Sequence, residues 1–126
     1  MRNFDTVCKG LAIASFAFAL FFTTAAQAQL VIGTHNCYNT PVPCEASEWS
    51  SDQWADAGDA CIRRAFGMSA SGGIIDRNAG LDSSNKLTTM ADAIERPEGA
   101  PLNVPSCSVI KTRSDTCAIR CVLLQY

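Results

Sequence analysis

Few residues in this chain have the type and spacing for chemistry, and each also has a plainer use. His35 is the sole histidine. An imidazole titrates near neutrality, so beside a carboxylate it could act as the general base of a small secreted hydrolase. The sequence offers no Gly-x-Ser-x-Gly elbow, and one histidine excludes two-histidine acid–base chemistry. A solvent-exposed loop histidine is the plainer reading, so no catalytic set is assigned and His35 is the residue to test.

Asp76-x-Asn78-x-Gly80-x-Asp82-x-Ser84 alternates oxygen-bearing side chains as a calcium loop does. It has Leu81 where such a loop needs its glycine and Leu87 where it needs a bidentate glutamate. Asp76, Asn78 and Asp82 are therefore candidate calcium ligands with a simpler alternative, a turn capped by polar side chains. His35, Cys37 and Cys44 could be read as metal ligands, but the chain has no Cys-x-x-Cys and no spaced histidine pair of the zinc type. No metal and no cofactor is expected. The missing Cys-x-x-Cys also argues against thioredoxin-like redox exchange and haem attachment.

Trp49, Asp52 and Asp56 form the remaining candidate site. No basic residue occurs from Glu45 to Asp59, so an aromatic among acids could receive a basic partner. A solvated acidic helix start explains the same run. Terminal Tyr126 resembles the aromatic ending of outer-membrane barrels, yet two expected helices in a short chain do not make an eight-stranded barrel.

Residues 1–28 read as a signal peptide, with Arg2 and Lys9 before an apolar run from Leu11 to Phe22 and Ala26-Gln27-Ala28 as a cleavage site. The run is too short for a membrane span, Cys8 leaves with the segment, and the mature chain starts at Gln29. Taking Arg2, Lys9 and Asp5 from ten basic and twelve acidic residues leaves eight and eleven, a net charge of −3. That balance disfavours nucleic acid as a partner. The expected location is secreted or periplasmic. Cys37, Cys44, Cys61, Cys107, Cys117 and Cys121 are then an even set in an oxidising compartment, and three disulfides are expected within one domain spanning 29–126.

Several elements would position these residues. Leu30-Val31-Ile32 suits a short strand, and His35 to Cys44, with two prolines, suits an irregular loop closed by a Cys37–Cys44 ring. Ser50 and Gln53 have capping-box spacing, and Trp54, Ala57, Cys61, Ala65 and Met68 share one helical face, which predicts a helix over 51–66 ended by Gly67. Asp59 and Arg63 stand four apart, as a surface ion pair would. Gly58 inside the helix costs about 1 kcal/mol relative to alanine. Leu87, Met90, Ala91 and Ile94 predict a second, shorter helix over 84–95, and the prolines from Pro97 to Pro105 a constrained loop.

Ser106 to Leu124 reads as a hairpin. With Arg113-Ser114-Asp115 as its loop, Thr112 faces Thr116, Val109 faces Ile119 and Cys107 faces Cys121, close enough for a bridge. Cys117 then points inward with Cys61, which suggests Cys61–Cys117 as the third pair. A helical reading of 117–121 would also put Cys117 and Cys121 on one face; the β-branched residues favour strands.

The expected fold is α+β: a small disulfide-stabilised domain with one main and one shorter helix packed on a C-terminal β-hairpin sheet. The expected function is a non-enzymatic exported binding module for a protein or cell-envelope ligand, acting as inhibitor or secreted effector. The hydrolase using His35 and a structural envelope role stand as alternatives.

Overall fold

A computed structural model describes residues 29–113 and 115–126; the expected signal segment lies outside them. The chain builds strand β1 (Leu30–Val42), helix α1 (Ser51–Phe66), and strands β2 (Asn103–Lys111) and β3 (Cys117–Gln125). The three strands form one antiparallel sheet in the order β1-β3-β2, so the last strand in the chain is central. The result is a small α+β fold with one main helix and three disulfides.

Helix α1 has the bounds that its periodicity sets. Ser50 Oγ accepts from the Gln53 N–H at 3.3 Å, and Gln53 Oε1 accepts from the Ser50 N–H at 3.0 Å, a complete capping box. Gly67, at φ 67°, closes the other end in the left-handed conformation, its N–H donating to Arg63 O. Trp54, Ala57 and Cys61 are buried beneath the helix, Trp54 at 1% exposure.

The hairpin register follows the alternation of its side chains. Cys107 lies opposite Cys121 and Val109 opposite Ile119. Cys107 and Cys121, with Cα atoms 4.1 Å apart, form a disulfide. Odd-numbered residues of both strands line the core, where Cys107, Val109, Cys117, Ile119 and Cys121 are buried. Even-numbered residues form the other face of the sheet.

Three expectations need correction. The stretch expected as a loop over 35–44 instead continues β1 to Val42. Pro41 is tolerated because β1 is an edge strand, Pro43 follows the strand's end, and the residues between Cys37 and Pro41 are absorbed by a register shift against β3. Likewise β2 begins at Asn103, within the expected proline loop. Pro105 fits because odd residues of β2 turn their backbone polar groups away from β3; its carbonyl accepts from Thr89 Oγ1 at 2.8 Å outside the ladder.

The second helix does not form over 84–95; only a single 3-10 turn, Ala91–Ala93, is present. Asn85 takes a positive φ of 61°, which an α-helix excludes. The Leu87 N–H donates to Cys107 O at 2.9 Å and the Val109 N–H to Asn85 O at 2.8 Å, so this segment covers the outer edge of β2. Satisfying that edge outweighed a weak 3.6-residue periodicity, and the β-branched pair Thr88-Thr89 agrees with an extended course.

The third correction concerns connectivity. Instead of Cys37–Cys44 and Cys61–Cys117, the bonds are Cys37–Cys61 and Cys44–Cys117. Because β1 pairs with β3, Cys37 stands opposite Ile119 on the inner face, beneath Cys61 of α1. Val42 stands opposite Cys117, which brings the next cysteine, Cys44, to the start of β3. One bond thus ties β1 to the helix, and the other ties the end of β1 to the central strand.

Candidate functional site

The candidate residues are placed by three different parts of the fold. His35 lies in β1 opposite Cys121, exposed, and makes no salt bridge or side-chain hydrogen bond among the described residues. No carboxylate is held against it there.

Asp52 and Asp56 lie one turn apart on the exposed face of α1, and a single arginine spans both. Arg77 Nη1 stands 2.7 Å from Asp56 Oδ1, and its Nε 3.3 Å from Asp52 Oδ1. The Arg77 hydrogen bond holds the Asp56 carboxyl below its ordinary range, and Asp56 in turn raises the Arg77 guanidinium. Much of the acidic face is therefore neutralised from within. Trp49 is half-buried and packs on Trp54, ring centroids 5.0 Å apart and tilted by 54°. Trp54 Nε1 donates to Ala46 O at 3.3 Å. Trp49 and the two aspartates thus serve separate local contacts and do not converge on one pocket.

Asp59 forms no ion pair with Arg63 among the described residues. Its Oδ1 accepts the backbone N–H groups of Ile74 at 2.8 Å and Ile75 at 3.0 Å, anchoring the loop after α1. Beside it is an open cavity of about 560 Å³ lined by Asp56, Asp59, Arg63, Met68, Gly72 and Arg77.

The calcium candidates are engaged in turns. Asp76 Oδ1 accepts the Asn78 N–H at 2.9 Å. Asp82 Oδ1 accepts from the Ser84 N–H and Oγ, both at 2.8 Å, and from the Lys86 N–H at 2.9 Å. These bonds, that of Lys86 foremost, hold the Asp82 carboxyl below its ordinary value. Among the described residues no three His, Cys, Asp or Glu side chains are grouped to hold a metal ion.

The feature that sequence reasoning missed is the outer edge of β1. One side of the strand pairs with β3, and among the described residues no strand pairs with the other. Backbone direction along it can be read from the far side of the sheet. Cys107 and Val109 turn their polar groups away from β3, so Ile119 and Cys121 turn theirs toward β1, and their partners Cys37 and His35 bond back to β3. Thr34 and Asn36, between them, face the open edge. At the start of the strand Leu30, Val31 and Ile32 are 59%, 57% and 44% exposed, and exposed Tyr126 accepts from Gln29 Nε2 through its hydroxyl at 3.0 Å. The signal available in the sequence was the absence of charge: from Gln29 to Cys44 there is no Asp, Glu, Lys or Arg.

No protein-family model, curated protein or solved structure matches the chain.

Proposed function

We propose that this protein is a non-enzymatic exported binding module that docks a protein ligand by strand addition along β1. The observation that carries the reading is an open, uncharged edge strand with three exposed apolar residues at its start. Natural sheets guard such edges with lysine, inward charge, proline, bulges or a covering segment, because an open edge is a template for another strand. β1 carries Pro41 and two register shifts, and the run Gly33–Cys37 between the shifts is regular and unguarded. This fold covers the β2 edge with Asn85–Leu87 and leaves β1 open. Backbone pairing then provides affinity and the alternating side chains provide selectivity.

Three disulfides support export to an oxidising compartment, secreted or periplasmic. Among the described residues no helix is long and apolar enough to cross a membrane. Two of the bonds also fix β1 at Cys37 and just beyond its end at Cys44, which presents the edge as a rigid surface and lowers the ordering cost of binding.

The test compares β1-dependent crosslinking on native envelopes for the wild-type mature chain, Thr34→Lys and His35→Ala. Crosslinks lost in Thr34→Lys and kept in His35→Ala are expected. Crosslinks indifferent to Thr34→Lys, or hydrolytic turnover abolished by His35→Ala, would overturn the reading.

A further inference from the structure

We infer that the strand occupying the open edge of β1 is β1 of a second copy, so that the working unit is a two-fold dimer with one continuous six-stranded sheet. This rests on the reading of β1 as a docking edge and names its occupant. Two features of the chain select a second copy.

The first is charge. Each mature chain carries a net charge of −3, and acidic residues are spread over Glu45 to Asp59 and Asp76 to Glu98. Arg77 offsets Asp52 and Asp56, but Glu45 and Glu48 make no ion pair among the described residues, so two copies approaching through that acidic end repel each other. Gln29 to Cys44 is the longest run without a charged residue in the mature chain, and it contains all of β1. The longest stretch on which two like-charged copies can meet without facing like charge is thus also the open edge.

The second is symmetry. An antiparallel pair of identical strands satisfies a two-fold axis, so each copy presents the same residues to the other. The outward backbone groups of Thr34 and Asn36 are spaced as two symmetry-related hydrogen-bonded pairs require: Thr34 faces Asn36 of the second copy, Asn36 faces its Thr34, and His35 lies at the axis as the non-hydrogen-bonded pair between them. From Gly33 to Cys37 the pairing with β3 has no register shift, so this part of the edge is regular. The Asn36 side chain is held by Arg120 Nε, which donates to its Oδ1 at 3.0 Å, and itself donates to the Tyr38 hydroxyl at 2.9 Å. Asn36 is thereby braced where the second strand must align.

The experiment is sedimentation equilibrium of the disulfide-intact mature chain, together with amide hydrogen exchange read residue by residue. Twice the monomer mass is expected at tens of micromolar, with the Thr34 and Asn36 amides protected at high concentration and exposed on dilution. The His35 amide bonds to β3 and stays protected throughout. Thr34→Lys should remain monomeric, keep the three disulfides and leave the amides of residues 34 and 36 unprotected at every concentration. A wild-type monomer at all concentrations, or a dimer unchanged by Thr34→Lys with Thr34 and Asn36 exchanging freely, would overturn the inference. A monomeric wild type that still gives β1-dependent crosslinks to envelope proteins would remove the second copy and leave the docking edge standing. Loss of both together would remove the edge itself.

Discussion

Leu87 packs directly on the backbone of Gly58: a Cβ placed on that glycine would stand 2.7 Å from Leu87 Cδ1 and 2.9 Å from Ile75 Cγ1. Leu87 is 3% exposed and Ile75 fully buried, so neither has open space into which to retreat. The glycine in mid-helix is a contact requirement set by the loop that crosses α1.

Gly58→Ala should therefore destabilise the protein, against the helix-propensity gain of about 1 kcal/mol that the same change brings on an exposed helix. Overpacking of this kind costs about 1–3 kcal/mol. The urea midpoint of the oxidised protein is the measurement, and a rise in that midpoint would show that the loop yields.

Asp59→Ala should cost more than an exposed aspartate normally would. It removes the acceptor for the N–H groups of Ile74 and Ile75, both residues buried, and each orphaned donor costs about 1–3 kcal/mol. Asp59→Asn keeps an acceptor oxygen and should recover a large share of the loss. Equal midpoints for the two variants would mean that the loop is held by its apolar packing alone.

Stability should fall in acid partly through Asp82. Its folded-state pKa is lowered, so its contribution is complete above the ordinary value of 3.8 and is lost as pH falls through the lower folded value. Asp56 acts in the same direction through Arg77. The thermal midpoint of Asp82→Asn should lie below that of wild type at pH 7, and the gap should narrow toward pH 2.5. A gap independent of pH would assign the effect to shape and not to charge.

A non-reducing peptide map should recover Cys37–Cys61, Cys44–Cys117 and Cys107–Cys121. Paired cysteine-to-alanine variants should then rank by the loop each bond closes. The loop-entropy relation gives about 4 kcal/mol for the 73-residue separation of Cys44–Cys117 and about 3 kcal/mol for the 14-residue separation of Cys107–Cys121. The reverse order would show that strain or residual structure in the unfolded chain dominates.

Local chemistry was legible in the sequence where it was sufficient. Ser50, Gln53 and Gly67 delimit α1 by capping, and the turn at Arg113 sets the register that joins Cys107 to Cys121. What could not be read depended on pairings between distant segments. Nothing near Cys37 indicates that β1 will add to the far side of β3, and that pairing decides that Cys61 takes Cys37 and leaves Cys117 for Cys44. Residues 84–95 were misread for the same reason: the open edge of β2, known only once the sheet exists, takes Asn85–Leu87 in extended form. Of the candidate site residues, Asp52, Asp56 and Asp82 were found as charges, but the partners that occupy them, Arg77 and the Ser84–Lys86 turn, come from tertiary geometry.

The central position of β3 also governs when the protein can fold. β1 and β2 each pair only with β3 in the sheet, and β3 is made last, after more than seventy intervening residues in the case of β1. The sheet therefore cannot form until residues 117–125 are present. On the proposal that the chain is exported, this order leaves the sheet, and with it the Cys44–Cys117 and Cys107–Cys121 bonds, to close only after residue 121 has emerged.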